Sequence, residues 1–318
     1  MNPIIPADIP KNKHSQFQEN YTAITRNTDK LFLFACDQKI EHLNKDFYGD
    51  GIAPEANNPE HIFKIAAGGN VGALATHFGL LARYGSNYPN VNYIVKLNGK
   101  TDIIQPQKPS AWWSGPSYAQ IAKTHALLQD PVSTQLWSVQ DVVNLKQESG
   151  LPIRGVGFTI YLGSVHEQTM LAQAAQIIYQ AHQHGLVTII WIYPRGIAVK
   201  DDQEQHLLAG AAGVAASLGA DFVKIKQPRT ADDLAIACAA AGNTKVLCAG
   251  GQTIKPEELL RHIANNLQAG AAGCAVGRNI FQKNQSDAIA LTQALAALVY
   301  QNMSVEQALA HYQQTSRS

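Results

Sequence analysis

The chain has 318 residues, of which 46% are hydrophobic and 15% charged, which excludes a disordered or fibrous chain and supports a large buried core. A single α/β barrel of roughly 250 residues or more fits within that length. Lys and Arg total 25 against 24 for Asp and Glu, a net charge of +1, so nothing marks a nucleic-acid partner or an anionic membrane surface.

From the N-terminus, residues 1–28 are polar and Pro-containing and are expected to form an arm that caps a barrel domain over 29–318. Short apolar runs then recur at 31–36, 71–76, 92–97, 154–161, 187–193, 221–226, 245–249 and 272–276. They are too short for helices and rich in Val, Ile and aromatics, as buried parallel strands are. Helical periodicity separates most of them, over 59–67, 167–184, 203–218, 230–241, 256–268 and 284–299. The alternation predicts an α/β fold of the (β/α)8, or TIM-barrel, type, with a doubly wound open sheet as the alternative. Residues 105–149, with Trp112, Trp113 and Trp137, are longer than a strand-to-helix loop requires. This enlarged loop between strands 3 and 4 reads as a lid, a subunit contact or a packed surface helix. Cys36, Cys238, Cys248 and Cys274 form no CxxC pair, and most lie in or beside apolar runs, the usage of buried thiols in a reducing compartment. With no signal-like apolar core at the N-terminus and no 18-residue apolar run, a cytoplasmic protein is expected.

The active site of such a barrel lies at the C-terminal strand ends, where this sequence places Asp37, His77, Lys96, Tyr161, Tyr193, Lys224, Gly250 with Gly251, and Gly277 with Arg278. Strand alternation puts Phe222, Lys224 and Lys226 on one face, so two ammonium groups share the barrel, and crowding and burial favour the neutral amine that a carbonyl-attacking nucleophile needs. The competing reading sets both lysines on the rim, bound to phosphate or carboxylates. Trp191 and Tyr193 share one strand face, and a phenol at a strand end is suited to proton transfer, although such aromatics are more often core. Asp37, Glu41 and His42 lie within six residues and offer an acid/base and hydrogen-bonding set. No HExxH or HxxxH spacing is present, His182 and His184 face different ways on a helix, and no metal site is expected. Most of the histidines read as surface or capping groups. The turns 249–253 and 276–280 follow the last two strands, where glycine amides, a helix start and Arg278 are suited to a phosphate.

The strings ACDQKIEH, VKLNGKT, GFTIYLGS, WIYPRG, ADFVKIK, AGGQT and AVGRNIFQ, in this order and spacing from Asp37 to Phe281, resemble the archaeal-type class I fructose-bisphosphate aldolases. The resemblance implies a Schiff base on Lys224, with Lys226 as its electrostatic companion and Tyr193 as the proton-transfer residue. It also implies that Asp37 orients substrate hydroxyls, that Trp191, His42 and Lys96 line the substrate, and that Gly250, Gly251, Gly277 and Arg278 hold one phosphate. No cofactor is implied; the partner is a small sugar phosphate, and the assembly a homo-oligomer. The chain departs from the family pattern at Ala249, where a serine is usual, at Gln227, Pro228 and Arg229, where Tyr-Thr-Gly is usual, and at Phe158 in place of a tyrosine. The alternatives are a related Schiff-base barrel, such as a transaldolase-like synthase or a phospho-ketose thiolase, and a catalytically idle phosphate-binding barrel.

Overall fold

The computed structural model describes residues 3–101 and 130–316. Trp112, Trp113 and the rest of 102–129 lie outside the described residues, as do the first two and last two positions. The barrel strands are β1 (Leu31–Ala35), β2 (Ala73–His77), β3 (Tyr93–Lys96), β4 (Ile153–Leu162), β5 (Val187–Pro194), β6 (Phe222–Ile225), β7 (Lys245–Ala249) and β8 (Gly273–Val276). Each runs parallel to its sequence neighbours, and β1 closes on β8 from Leu31 opposite Gly273 to Phe34 opposite Val276. The barrel is therefore complete, and the open-sheet alternative is excluded. All eight expected runs form strands, the largest displacement being that of 71–76, which forms as Ala73–His77.

Alternation along the strands builds two apolar layers. Leu33, Ala75, Ile94, Ile189, Phe222 and Leu247 fill the interior, while Phe34, Leu74, Val95, Ile190 and Val223 pack outward against the helical shell. Side chains thus fill the lower barrel as a solid core and leave function to its mouth. A helix from the N-terminal segment, α1 (His14–Thr25), contributes Phe17, Tyr21 and Ile24 to the interior cluster. Tyr21 stacks on Phe222 with ring centroids 5.4 Å apart, so α1 closes the floor.

The shell comprises α2 (His61–Gly68), α3 (Phe78–Tyr84), α4 (Val139–Ser149), α5 (Glu167–Gln183), α6 (Gln205–Ser217), α7 (Ala231–Ala241), α8 (Pro256–Gln268), α9 (Gln285–Gln301) and α10 (Val305–Thr315). Helix α4 narrows the expected insertion, because its residues are the crossover helix before β4. Ser138 and Asp141 form a reciprocal capping box at its start, Gly150 ends it at φ +67°, and Val139, Val142 and Val143 are buried. His182 is, with His61 and His77, an exception to the reading of most histidines as surface or capping groups. It is fully buried near the end of α5, with Nδ1 2.8 Å from Asp8 and Nε2 3.3 Å from Asp221. No helix among the described residues is long and apolar enough to cross a membrane.

Candidate active site at the mouth of the barrel

Near their C-terminal ends the inward positions change from apolar to polar, and the loops beyond them enclose a cavity of about 610 Å³. Asp37, Glu41, Trp191, Tyr193, Lys224, Gly250, Gly251, Gly277 and Arg278 line it, together with Lys226 and His42 at its edge. Of the residues the sequence places at the strand ends, Lys96, His77 and Tyr161 do not reach the cavity wall.

Lys224 stands one residue before the end of β6, in register with Trp191 on β5, and is 5% exposed. Its amine has neither a hydrogen bond nor an ion pair among the described residues. Burial pushes the amine below the usual lysine range; the Asp37 charge opposes this and the Lys96 charge adds to it. The Nζ atoms of Lys224 and Lys96 each lie 5.6 Å from the centroid of the Trp191 ring. That ring can lie against β4 because residue 157 is glycine: a Cβ there would sit 2.2 Å from the indole. The Trp191 Nε1 is buried with no acceptor among the described residues.

Asp37 follows β1, and its Oδ2 is 3.6 Å from Lys96 Nζ. Burial alone would raise its pKa, but Lys96, Lys224 and His77 outweigh that and hold the carboxyl below its ordinary range. His77 Nε2 donates to the Asp37 carbonyl over 3.1 Å, and burial together with the Lys96 charge brings its pKa down to about 4, so the ring is neutral. Burial, then the charges of Asp37 and Glu41, pushes the Tyr193 phenol well above its usual range. At neutral pH the site therefore presents a carboxylate acceptor and a phenolic donor beside an unpartnered amine. Tyr161 donates to Glu41 over 2.7 Å, and Arg195 approaches the same carboxylate at 3.4 Å.

The turns after β7 and β8 meet at one wall. Gly251 has φ +66°, a conformation that favours glycine, and a Cβ on Gly277 would lie 2.4 Å from the Ala35 carbonyl. The Gly250 amide donates to Ala275 at 3.0 Å, so this glycine shapes the wall and does not offer its N–H to an anion. Asn279, which sequence reasoning missed, organises the turn by donating to the Gly250 and Gln252 carbonyls and accepting from Ile254 N–H. Arg278 donates to the Gly251 carbonyl over 3.1 Å, and its Nε is 3.7 Å from Asp46. The Asp46 carboxylate also holds His42 Nδ1 at 2.6 Å.

Lys226 is placed differently from the alternation argument. Strand β6 ends at Ile225, and the Lys226 side chain, 38% exposed, pairs with Asp202 at 2.5 Å. Lys96, and not Lys226, is the buried cation beside Lys224. The departures at 227–229 build loop contacts: Gln227 exchanges two hydrogen bonds with Asn266, and Arg229 grips Asp201 through bonds of 2.7 and 2.9 Å. Phe158 is fully buried in the outer layer and does not meet the cavity. Asn98, another residue missed from sequence, fastens the end of β3 to the Thr159 backbone through both its amide atoms.

The model of the DeoC/LacD family aldolases matches residues 31–283. A fructose-bisphosphate aldolase/6-deoxy-5-ketofructose 1-phosphate synthase of Methanocaldococcus jannaschii is 45% identical over 97% of this chain and 94% of its own length. A solved fructose-bisphosphate aldolase from Slackia heliotrinireducens is 42% identical, with a TM-score of 0.89 over 98% of this chain and 94% of that one. A Schiff-base-forming fructose-1,6-bisphosphate aldolase, solved with reaction intermediates, is 32% identical with a TM-score of 0.73, covering 89% of this chain and all of that one.

Proposed function

The chain belongs to the DeoC/LacD family of aldolases, and we propose that its mouth cavity cleaves fructose 1,6-bisphosphate with Lys224 as the Schiff-base nucleophile. It is a class I fructose-bisphosphate aldolase, a lyase that needs no metal, interconverting the bisphosphate with dihydroxyacetone phosphate and glyceraldehyde 3-phosphate. The observation that carries the assignment of roles is the Lys224 amine: buried, unpartnered, and open to a cavity shared with Asp37 and Tyr193.

The Lys224 nitrogen adds to the C2 carbonyl, and loss of water with uptake of one proton from solvent gives an iminium, the electron sink for cleavage. Asp37, held as a carboxylate, takes the proton of the C4 hydroxyl. The C3–C4 bond breaks, its electron pair forms the enamine, and the aldehyde leaves. Tyr193, held as a phenol, gives a proton to C3 and is recharged by the proton on Asp37, so one proton moves in total from O4 to C3. Water then adds to the iminium, freeing dihydroxyacetone phosphate and the amine and returning the proton taken up on imine formation to solvent. Trp191 shapes the wall against which the ketose lies. Arg278 and the backbone at Gly251 and Gly277 hold one phosphate, with Gly250 shaping the turn, while Lys226 and His42 meet the substrate at the rim.

The assembly we propose is a homo-oligomer in a reducing, cytoplasmic compartment, in keeping with four free cysteines. Sedimentation of the native protein tests the oligomer. The relative from M. jannaschii is named for a second synthase activity, and its 45% identity favours assaying both reactions. Turnover of fructose 1,6-bisphosphate in the presence of EDTA, lost in Lys224→Met, tests the principal reading; metal-dependent turnover retained by that variant overturns it.

A further inference from the structure

Two amines and one carboxylate are buried together at this site, and their partners are unequal. Lys96 Nζ donates to the Asn98 carbonyl over 3.1 Å and faces Asp37 at 3.6 Å. Lys224 Nζ has neither kind of partner among the described residues and opens on the cavity. Of the other groups that face this pair, His77 is neutral, the Cys36 thiol and the Tyr193 phenol are held protonated by burial, and Glu41, partly exposed and accepting from Tyr161, favours the charged form of both amines and so does not single out either. The buried charge that remains is one carboxylate for two amines. A proton on either amine is stabilised by Asp37, but only Lys96 has a second acceptor to hold it, and two adjacent ammonium groups sharing one carboxylate repel. The lysine with two acceptors is the one suited to keep its proton.

Resting on the Schiff-base reading above, we propose that Lys96 is a positioning residue: it occupies Asp37 as a standing counter-ion and so leaves Lys224 as the neutral, nucleophilic amine. It contacts no substrate, since it lies beside the Trp191 ring and off the cavity wall. The companion role that spacing suggests for Lys226 passes to a lysine three strands away. Loss of the Lys96 charge frees Asp37 to pair with Lys224, which favours the ammonium form and moves nucleophilicity to higher pH.

The test is borohydride trapping of dihydroxyacetone phosphate on Lys224, read by peptide mass at pH values from 5.5 to 10. Lys96→Met is expected to shift the half-maximal pH upward by about one unit or more, a roughly tenfold loss of trapping near neutrality that is recovered at alkaline pH. Lys96→Arg, which keeps the charge, should retain the original profile. Adding Asp37→Asn to Lys96→Met should cancel the shift, because the carboxylate that captures Lys224 is then gone. If Lys96→Met does not fold, Lys96→Gln carries the same comparison. An unchanged profile, or trapping lowered equally at every pH, overturns the proposal. Absence of any Lys224 adduct in the unsubstituted protein would instead overturn the Schiff-base reading itself.

Discussion

The two ends of the barrel bury the same kinds of residue to opposite effect. At the floor, His182 sits between Asp8 and Asp221, and Asp221 also accepts from the Thr188 N–H and hydroxyl at 2.8 and 2.9 Å. Nearby, Tyr21 donates to Asp29 over 2.6 Å, and Asp29 pairs with Lys245 at 2.6 Å. Each buried charge there has its partner, and the network fastens the N-terminal segment to the strands. At the mouth, Lys224 lacks an acceptor, Trp191 Nε1 is unpaired and His77 Nδ1 is unpaired, all among the described residues. Unsatisfied polar groups cost stability and are suited to bind something from outside. The fold satisfies its floor and leaves its mouth incomplete, which separates the residues that hold the barrel from those that act on substrate.

Substitutions at the two ends should therefore fail differently. Lys224→Met is expected to lower turnover by roughly 10⁴-fold or more while leaving the thermal midpoint unchanged or raised, since it removes a buried amine with no partner. Steady-state assays paired with calorimetry check both halves. Tyr193→Phe should lower kcat by about 10²–10⁴-fold, the usual worth of a positioned acid or base, and leave borohydride trapping largely intact. Comparable loss of trapping would contradict the division of roles. Arg278→Ala should act mainly on affinity, raising KM by about tenfold or more with the loss of a charge-assisted phosphate contact, as initial rates over substrate concentration would report.

At the floor the effect is on stability. His182→Gln should cost on the order of 3 kcal/mol by leaving Asp221 short of its cation, with kcat nearly unchanged; urea titration measures the first and turnover the second. Burial by itself lowers the His182 pKa, but Asp221 and then Asp8 outweigh it, so the folded value lies above the ordinary 6.5. A raised pKa contributes stability that is complete below the unfolded value and fades as pH climbs through the folded one. The stability gap between the native protein and His182→Gln should accordingly shrink from pH 6.5 upward. A gap that widens with pH would contradict the arrangement.

Strand positions were legible because buried parallel strands are written as short apolar runs, and the barrel rule then points to whatever stands at their ends. Asp37, Tyr193, Lys224 and Gly251 were found in that way, and all line one cavity. Alternation tells which face a residue takes but not where pairing stops. For that reason alternation alone turned Lys226, one residue past the end of β6, inward, whereas it lies on the rim against Asp202, as the competing reading has it. Depth was also invisible: Lys96 and Lys224 carry the same side chain at two strand ends, and only packing against Trp191 places one under the wall and the other on it. Gly250 was expected to offer an amide that Ala275 already occupies. Helices α1, α3 and α10 escaped because their apolar faces span few turns or lie among polar residues, and α4 was covered only by the packed-helix reading of 105–149.

Borohydride reduction in the presence of fructose 1,6-bisphosphate and EDTA, followed by peptide mapping, tests the central claim most directly. A substrate-derived adduct on Lys224 alone, with turnover unharmed by EDTA, is the predicted result. No adduct, or one on Lys226 or Lys96, would contradict the assignment of the unpartnered amine at the mouth as the nucleophile.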